Sequence, residues 1–171
     1  SSGLKSINFP ESLKKIDTGA FSYCSNLTTV ELKHVERIET EAFMGCYRIA
    51  TLDLGDSLKR IGNRAFYSNN MKGKIKELTI PATVTYIGGS SFYQCGVETI
   101  HFLPSPIPEF GTNPFAQNTI TKVTIPLSAQ EEYEAYIATV TQMSGATIEV
   151  FNDIPINPKE EYFWVEFEET G

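Results

Sequence analysis

The chain has 171 residues, 41% hydrophobic and 20% charged, with a net charge of −7. That length supports one domain with a sizeable core, and no apolar run is long enough to cross a bilayer. No basic stripe with stacking aromatics is present, which disfavours nucleic acid, and three cysteines without C-x-x-C spacing disfavour a disulfide framework or zinc.

Ser1-Ser2-Gly3 runs straight into an apolar pattern with no initiator Met and no leader, so an N-terminal cap is expected upstream in a longer chain. Leu4, Ile7 and Phe9-Pro10, then Leu13 and Ile16, then Ala20-Phe21 and Cys24 make one unit. It returns as Leu27, Val30, Leu32, Val35, Ile38, Ala42-Phe43 and Cys46. The third copy is Ile49, Leu52, Leu54, Leu58, Ile61, Ala65-Phe66 and Asn69. The fourth is Ile75, Leu78, Ile80-Pro81, Val84, Ile87, Ser91-Phe92 and Cys95. A degraded fifth runs from Val97, Ile100 and Phe102 to Phe115 and Asn118, and a sixth stops after Ile120, Val123 and Ile125-Pro126. Starts fall 23, 22, 26, 22 and 23 residues apart, a period that marks a stacked solenoid.

Within a unit, the fourth and sixth positions share one face of a short strand, while the third and fifth point away. The second apolar pair brings the chain back across the coil, and the Ala-Phe pair fills the far side. One coil cannot shield these groups, so stability accrues between neighbours. The strands are expected to form a parallel sheet along one face, with rungs about 4.8 Å apart.

Three residues after each repeat Phe stand Cys24, Cys46, Asn69, Cys95 and Asn118. Both residue types are small and can hydrogen-bond backbone at a tight corner, so the cysteines read as a structural thiol ladder. A catalytic thiol would need exposure and an activating partner, which a ladder position does not supply.

After Pro126-Leu127, Ser128-Ala129-Gln130-Glu131 has the form of a capping box. Tyr133, Tyr136, Ile137, Val140 and Met143 follow at helical spacing, with Gly145 as the stop and Thr147–Phe151 as a last strand. The helix is taken as the cap of the stack; its alternatives are a partner-docking or membrane-surface helix, and acidic Glu131, Glu132 and Glu134 disfavour anionic lipid. The expected division is repeats over 4–126, a cap over 127–155 and a separate segment over 156–171. In that last segment Tyr162–Glu168 alternates like a strand, folding back on the cap or opening a further domain.

Outward residues of the strands form two columns: Ser6, Thr29, Thr51, Glu77, Thr99, Lys122, and Asn8, Glu31, Asp53, Thr79, His101, Thr124. Glu31, Asp53 and Glu77 are expected on consecutive rungs. They look weak as a calcium site and weaker as a hydrolytic pair, since a flat ladder encloses no pocket. Glu31, Asp53, Glu77, Thr79, Thr99 and His101 are the candidate ligand-contacting residues; no catalytic, cofactor or metal set is assigned. His101 and His34 have no Ser or Cys placed beside them by the pattern, so no triad is arguable. Lys14, Lys15, Arg37, Lys59 and Arg60 form a basic column read as a solvated face, and Tyr67, Tyr86 and Tyr93 could form an aromatic patch.

The run Leu4-x-x-Ile7-x-Phe9-Pro10-x-x-Leu13-x-x-Ile16, followed by Ala20-Phe21-x-x-Cys24-x-x-Leu27, resembles the BspA-type (treponemal-type) leucine-rich repeat. The fourth copy fits equally, and Thr124-Ile125-Pro126 followed by a Tyr-containing helix and a strand is similar to that family's C-terminal end. The resemblance covers roughly residues 4–151. It implies a leucine-rich-repeat solenoid, an α/β-type right-handed coil stack dominated by short parallel strands with a C-terminal capping helix. It further implies a bacterial cell-surface or secreted protein with an adhesive role towards a protein or glycan ligand, host extracellular matrix included, and no shared catalytic residues. The alternative role is a structural spacer or assembly module of a larger surface protein. Departures are Asn69 and Asn118, a four-residue excess near Asn70–Lys74, and prolines 104, 106, 108 and 114. The Pro-rich fifth coil is where an interruption of the surface is expected.

Overall fold

The computed structural model describes residues 3–68 and 73–154. Each coil contributes one strand to a main face: β1 (Ser6–Asn8), β3 (Thr29–Glu31), β5 (Thr51–Asp53), β7 (Glu77–Ile80), β9 (Thr99–Phe102) and β11 (Lys122–Pro126). A second face, not foreseen as a sheet, is built by the return legs β2 (Lys15–Ile16), β4 (Arg37–Ile38), β6 (Arg60–Ile61), β8 (Tyr86–Ile87) and β10 (Glu109–Phe110). All pairings are parallel and step by one repeat, Thr29 onto Thr51 and Ile38 onto Ile61 for example. The apolar strand positions therefore stack in one core, with Val30, Leu78, Ile100 and Val123 wholly buried.

The third side of the coil is a spine of rings. Phe21, Phe43, Phe66, Phe92 and Phe115 stack in series at centroid separations of 5.2–5.8 Å, and Ala42 and Ala65 are fully buried beside them. Backbone bonds run along this corner as well, from Phe43 N–H to the Ala65 carbonyl and from Phe66 N–H to the Ser91 carbonyl, both at 2.7 Å.

The corner residues do what their size and chemistry allow. The thiols of Cys46 and Cys95 donate to the carbonyls of Phe21 and Phe66, one coil back, at 3.1 and 3.0 Å. Asn118 repeats this towards Phe92 at 2.8 Å and adds more: its Oδ1 accepts from Gly96 and Val97 N–H. Burial pushes both thiols up to about 12, and all three cysteines are unbridged. Asn69 lies outside the described residues, as does the segment 155–171.

The sixth coil abandons its return leg for a helix, α1 (Gln130–Thr139), and ends with β12 (Thr147–Phe151) on β11. The expected capping box does not form. The Ser128 hydroxyl is turned to Ser105 and Asp153, and Ala129, whose methyl group can accept no bond, takes the N-cap position. The helix is also shorter than its apolar spacing suggests: it stops at Thr139, and Met143 is buried from a separate 3-10 turn. Tyr133 is buried against Phe102 and donates to the Pro104 carbonyl at 3.0 Å. Tyr136 stacks on Phe110 at 3.9 Å. The helix thus seals the fifth coil's core. No helix among the described residues is long and apolar enough to cross a membrane.

Candidate binding surface on the strand face

The outward columns are held in register by the ladder beneath them. Ser6, Thr29 and Thr51 align, as do Asn8, Glu31 and Asp53. On the later coils Glu77 aligns with Thr99 and Lys122, and Thr79 with His101 and Thr124. Glu31 and Asp53 are therefore true neighbours, but Glu77 is not the third member of their row. It belongs to the other column, as the sequence places it, and the ladder is interrupted before it. Glu31 and Asp53 thus share a ladder that Glu77 does not join. The later strands add a diagonal contact between the two columns.

His101 has two partners, and a column reading reveals only one of them. Its Nδ1 lies 2.8 Å from the Thr124 hydroxyl and its Nε2 lies 2.8 Å from Glu77 Oε1. With Nε2–H donating to the carboxylate, Nδ1 accepts from the hydroxyl. Thr124 is the in-register neighbour, whereas Glu77 sits on the diagonal, two residues before the in-register Thr79. His101 is thus fixed in orientation on an open face rather than isolated.

The basic column is mostly matched in place. Lys15 pairs with Asp17 at 2.7 Å, Arg37 with Glu39 at 3.1 Å and Lys59 with Glu36 at 2.8 Å. Arg60 lies over the Tyr86 ring at 3.9 Å. Tyr86 is thereby committed to the second face, while Tyr67 and Tyr93 stack at 4.6 Å along the spine side. The three tyrosines do not make one patch.

The interruption of the main face falls where sequence did not place it. β7, β9, β11 and β12 are continuous through the Pro-rich fifth coil, but β5 and β7 belong to separate sheets. An apolar cleft of about 400 Å³ opens there, lined by Leu52, Leu54, Pro81, Ala82 and Leu103 with Asp53, Asp56, Thr79 and Thr83. A second, polar cleft of about 580 Å³ lies beside the second face, lined by Thr40, Glu41, Asn63, Arg64, Tyr86 and the glycines 89 and 111 among others.

The profile of the BspA type leucine rich repeat region, a model of 6 copies, matches residues 1–121 and 70–154. The chain belongs to the BspA-type leucine-rich-repeat family. A crystal structure of a leucine-rich repeat protein from Bacteroides ovatus ATCC 8483 is similar at a TM-score of 0.61 and 22% identity, over 87% of this chain. That match takes in 43% of the Bacteroides chain, so this chain spans less than half its length. At this identity the likeness speaks for the fold. No curated protein matches the chain.

Proposed function

We propose that this BspA-type repeat chain is a non-enzymatic binding and adhesion module, secreted or held at a bacterial cell surface, that offers its strand face to a protein or glycan. The observation that carries the reading is the division of labour along the ladder. Inward groups are spent on cohesion, and outward Glu31, Asp53, Glu77, Thr79, Thr99 and His101 are fixed in register without being needed by the core. Rigidly spaced polar groups on an open sheet suit a broad macromolecular contact better than an enclosed reaction. The family resemblance supports the surface location, and the division into repeats, cap and following segment belongs to the same proposal.

The test is a binding screen against extracellular-matrix proteins and a glycan array, repeated with Glu31→Lys, Asp53→Lys and Glu77→Lys combined. Loss of a specific hit is expected; a hit that persists unchanged would remove the strand face as the contact. A spacer or assembly role is favoured by one observation, the outer edge of β12. There Ile148 and Val150 remain 36% and 41% exposed although their partners Val123 and Ile125 are buried, as if a further module were to cover them. Absence of any flanking domain from the full-length gene would count against that role.

A further inference from the structure

Coils three and four are joined on two sides and parted on the third. On the second face Arg60 and Ile61 pair with Tyr86 and Ile87. On the spine Phe66 and Phe92 stack at 5.2 Å, as tightly as Phe43 and Phe66. On the main face β5 and β7 share no ladder. The 26-residue step between Ile49 and Ile75 is the longest between repeat starts, and it falls at this junction. The parting is closed at its far end by Thr83, whose hydroxyl donates to the carbonyls of Leu58 and Asp56 at 2.8 and 3.1 Å.

This wedge exposes core. Leu52 is half-buried, although its equivalents Val30 and Leu78 on either side are at 0%. Leu103, on the next coil, stands 38% exposed at the rim. Asp53 and Asp56 line the same cleft. Each is held by a local bond, Asp53 Oδ1 from Gly55 N–H at 2.8 Å and Asp56 Oδ1 from the Ser57 hydroxyl at 3.1 Å. The nearby cations are engaged elsewhere, Lys33 with Glu31 at 3.6 Å and Lys59 with Glu36 at 2.8 Å. An apolar slot edged by two carboxylates selects a group that is aliphatic along its length and cationic at its tip.

We propose that the cleft between β5 and β7 seats a lysine or arginine side chain of a protein partner. The methylenes lie on Leu52, Leu54, Pro81 and Leu103, and the cationic head meets Asp53 and Asp56. The proposal deepens the strand-face reading by naming the partner's chemistry, and it rests on that reading for its place in adhesion.

The test uses small probes on the isotope-labelled full chain, followed by NMR titration: n-butylguanidinium and n-pentylamine against neutral n-pentanol and anionic pentanoate. Expected are shifts of the Gly55, Thr79 and Leu103 amides, with the cations binding at least tenfold more tightly than pentanol. That preference should vanish in the Asp53→Asn, Asp56→Asn double variant, where asparagine keeps the turn bonds and removes the charge. Equal binding of cation and alcohol, or no shift at these amides, overturns the proposal. If it falls while Glu31→Lys and Glu77→Lys still abolish macromolecular binding, the strand-face reading stands alone.

Discussion

Phe43 and Phe66 lie face to face, their centroids 5.2 Å apart and their planes within 1°. Each ring is the floor of one coil and the ceiling of the next. Phe43→Ala therefore removes contacts from two interfaces and is expected to cost ~3–5 kcal/mol. Phe21 is half-buried in the first described coil, flanked by Phe43 and the edge of Phe9, so Phe21→Ala should cost distinctly less. Urea unfolding followed by circular dichroism checks the order. Equal losses at both positions would deny that the spine strengthens inward from the end.

Among the described corner residues Asn118 carries the bonds to four backbone groups on two coils, and it is 7% exposed. Asn118→Ala leaves the amides of Gly96 and Val97 and the carbonyls of Phe92 and Phe115 without their partner. A loss on the order of 3 kcal/mol is expected, since orphaned buried groups carry their full desolvation cost. Cys46→Ala removes one weak thiol bond and should cost clearly less. Midpoint shifts for the two variants in the same urea titration decide it.

The spine and this corner were legible in the sequence because Phe recurs at one register, and Cys or Asn three residues after it. What was not legible depends on contacts between registers. Ser128 has the spacing of a capping box, yet its hydroxyl is drawn to Asp153, which arrives beside it only when β12 joins β11. His101 gains Glu77 through a diagonal contact that in-register columns cannot show. The four extra residues were visible as a longer period. The period does not show that β5 and β7 stand in separate sheets while β6 pairs with β8 and Phe66 stacks on Phe92. The prolines of the fifth coil suggest an interruption where the sheet is in fact continuous.

Burial raises the thiols of Cys46 and Cys95 to about 12, against an ordinary value of 9.0. The folded chain thus holds protons that the unfolded chain releases above pH 9, so their contribution to stability is intact below that point. It is lost as pH climbs from 9 towards 12. Buried Tyr133 and half-buried Tyr136, whose phenols are also pushed up by desolvation, act in the same sense at higher pH. The urea midpoint should fall steeply over this range, and a Cys46→Ala, Cys95→Ala variant should show a shallower fall. At pH 8 an aromatic disulfide reagent should leave both thiols untouched in the native chain and label them on unfolding.

Charge reversal on the strand face should be nearly silent for folding. Glu31→Lys and Glu77→Lys alter exposed or half-exposed groups whose pairs, Lys33 and His101, lie at the surface, so each should stay within about 0.5 kcal/mol. Asp53→Lys also removes the acceptor of the Gly55 amide and should cost up to about 1 kcal/mol. Thermal melts of the single variants check this. A collapse of stability in any of them would place that residue in the core's service rather than a ligand's.

Leu52 and Leu78 are chemically identical and occupy equivalent places on successive coils, so their truncation isolates the effect of the parted sheet. Leu78 is at 0% exposure and paired on β9, and Leu78→Ala should cost about 2–5 kcal/mol through lost burial and a residual void. Leu52 already borders a cleft that solvent reaches, so the same change enlarges an opening instead of creating a cavity. Its cost should be at most about half as large, since burial scales with the apolar area removed from water. A Leu52→Ala loss as great as that of Leu78→Ala would mean that the main face closes in solution. The slot for a basic side chain would then not exist in the free protein, whereas a small loss leaves it open and preformed.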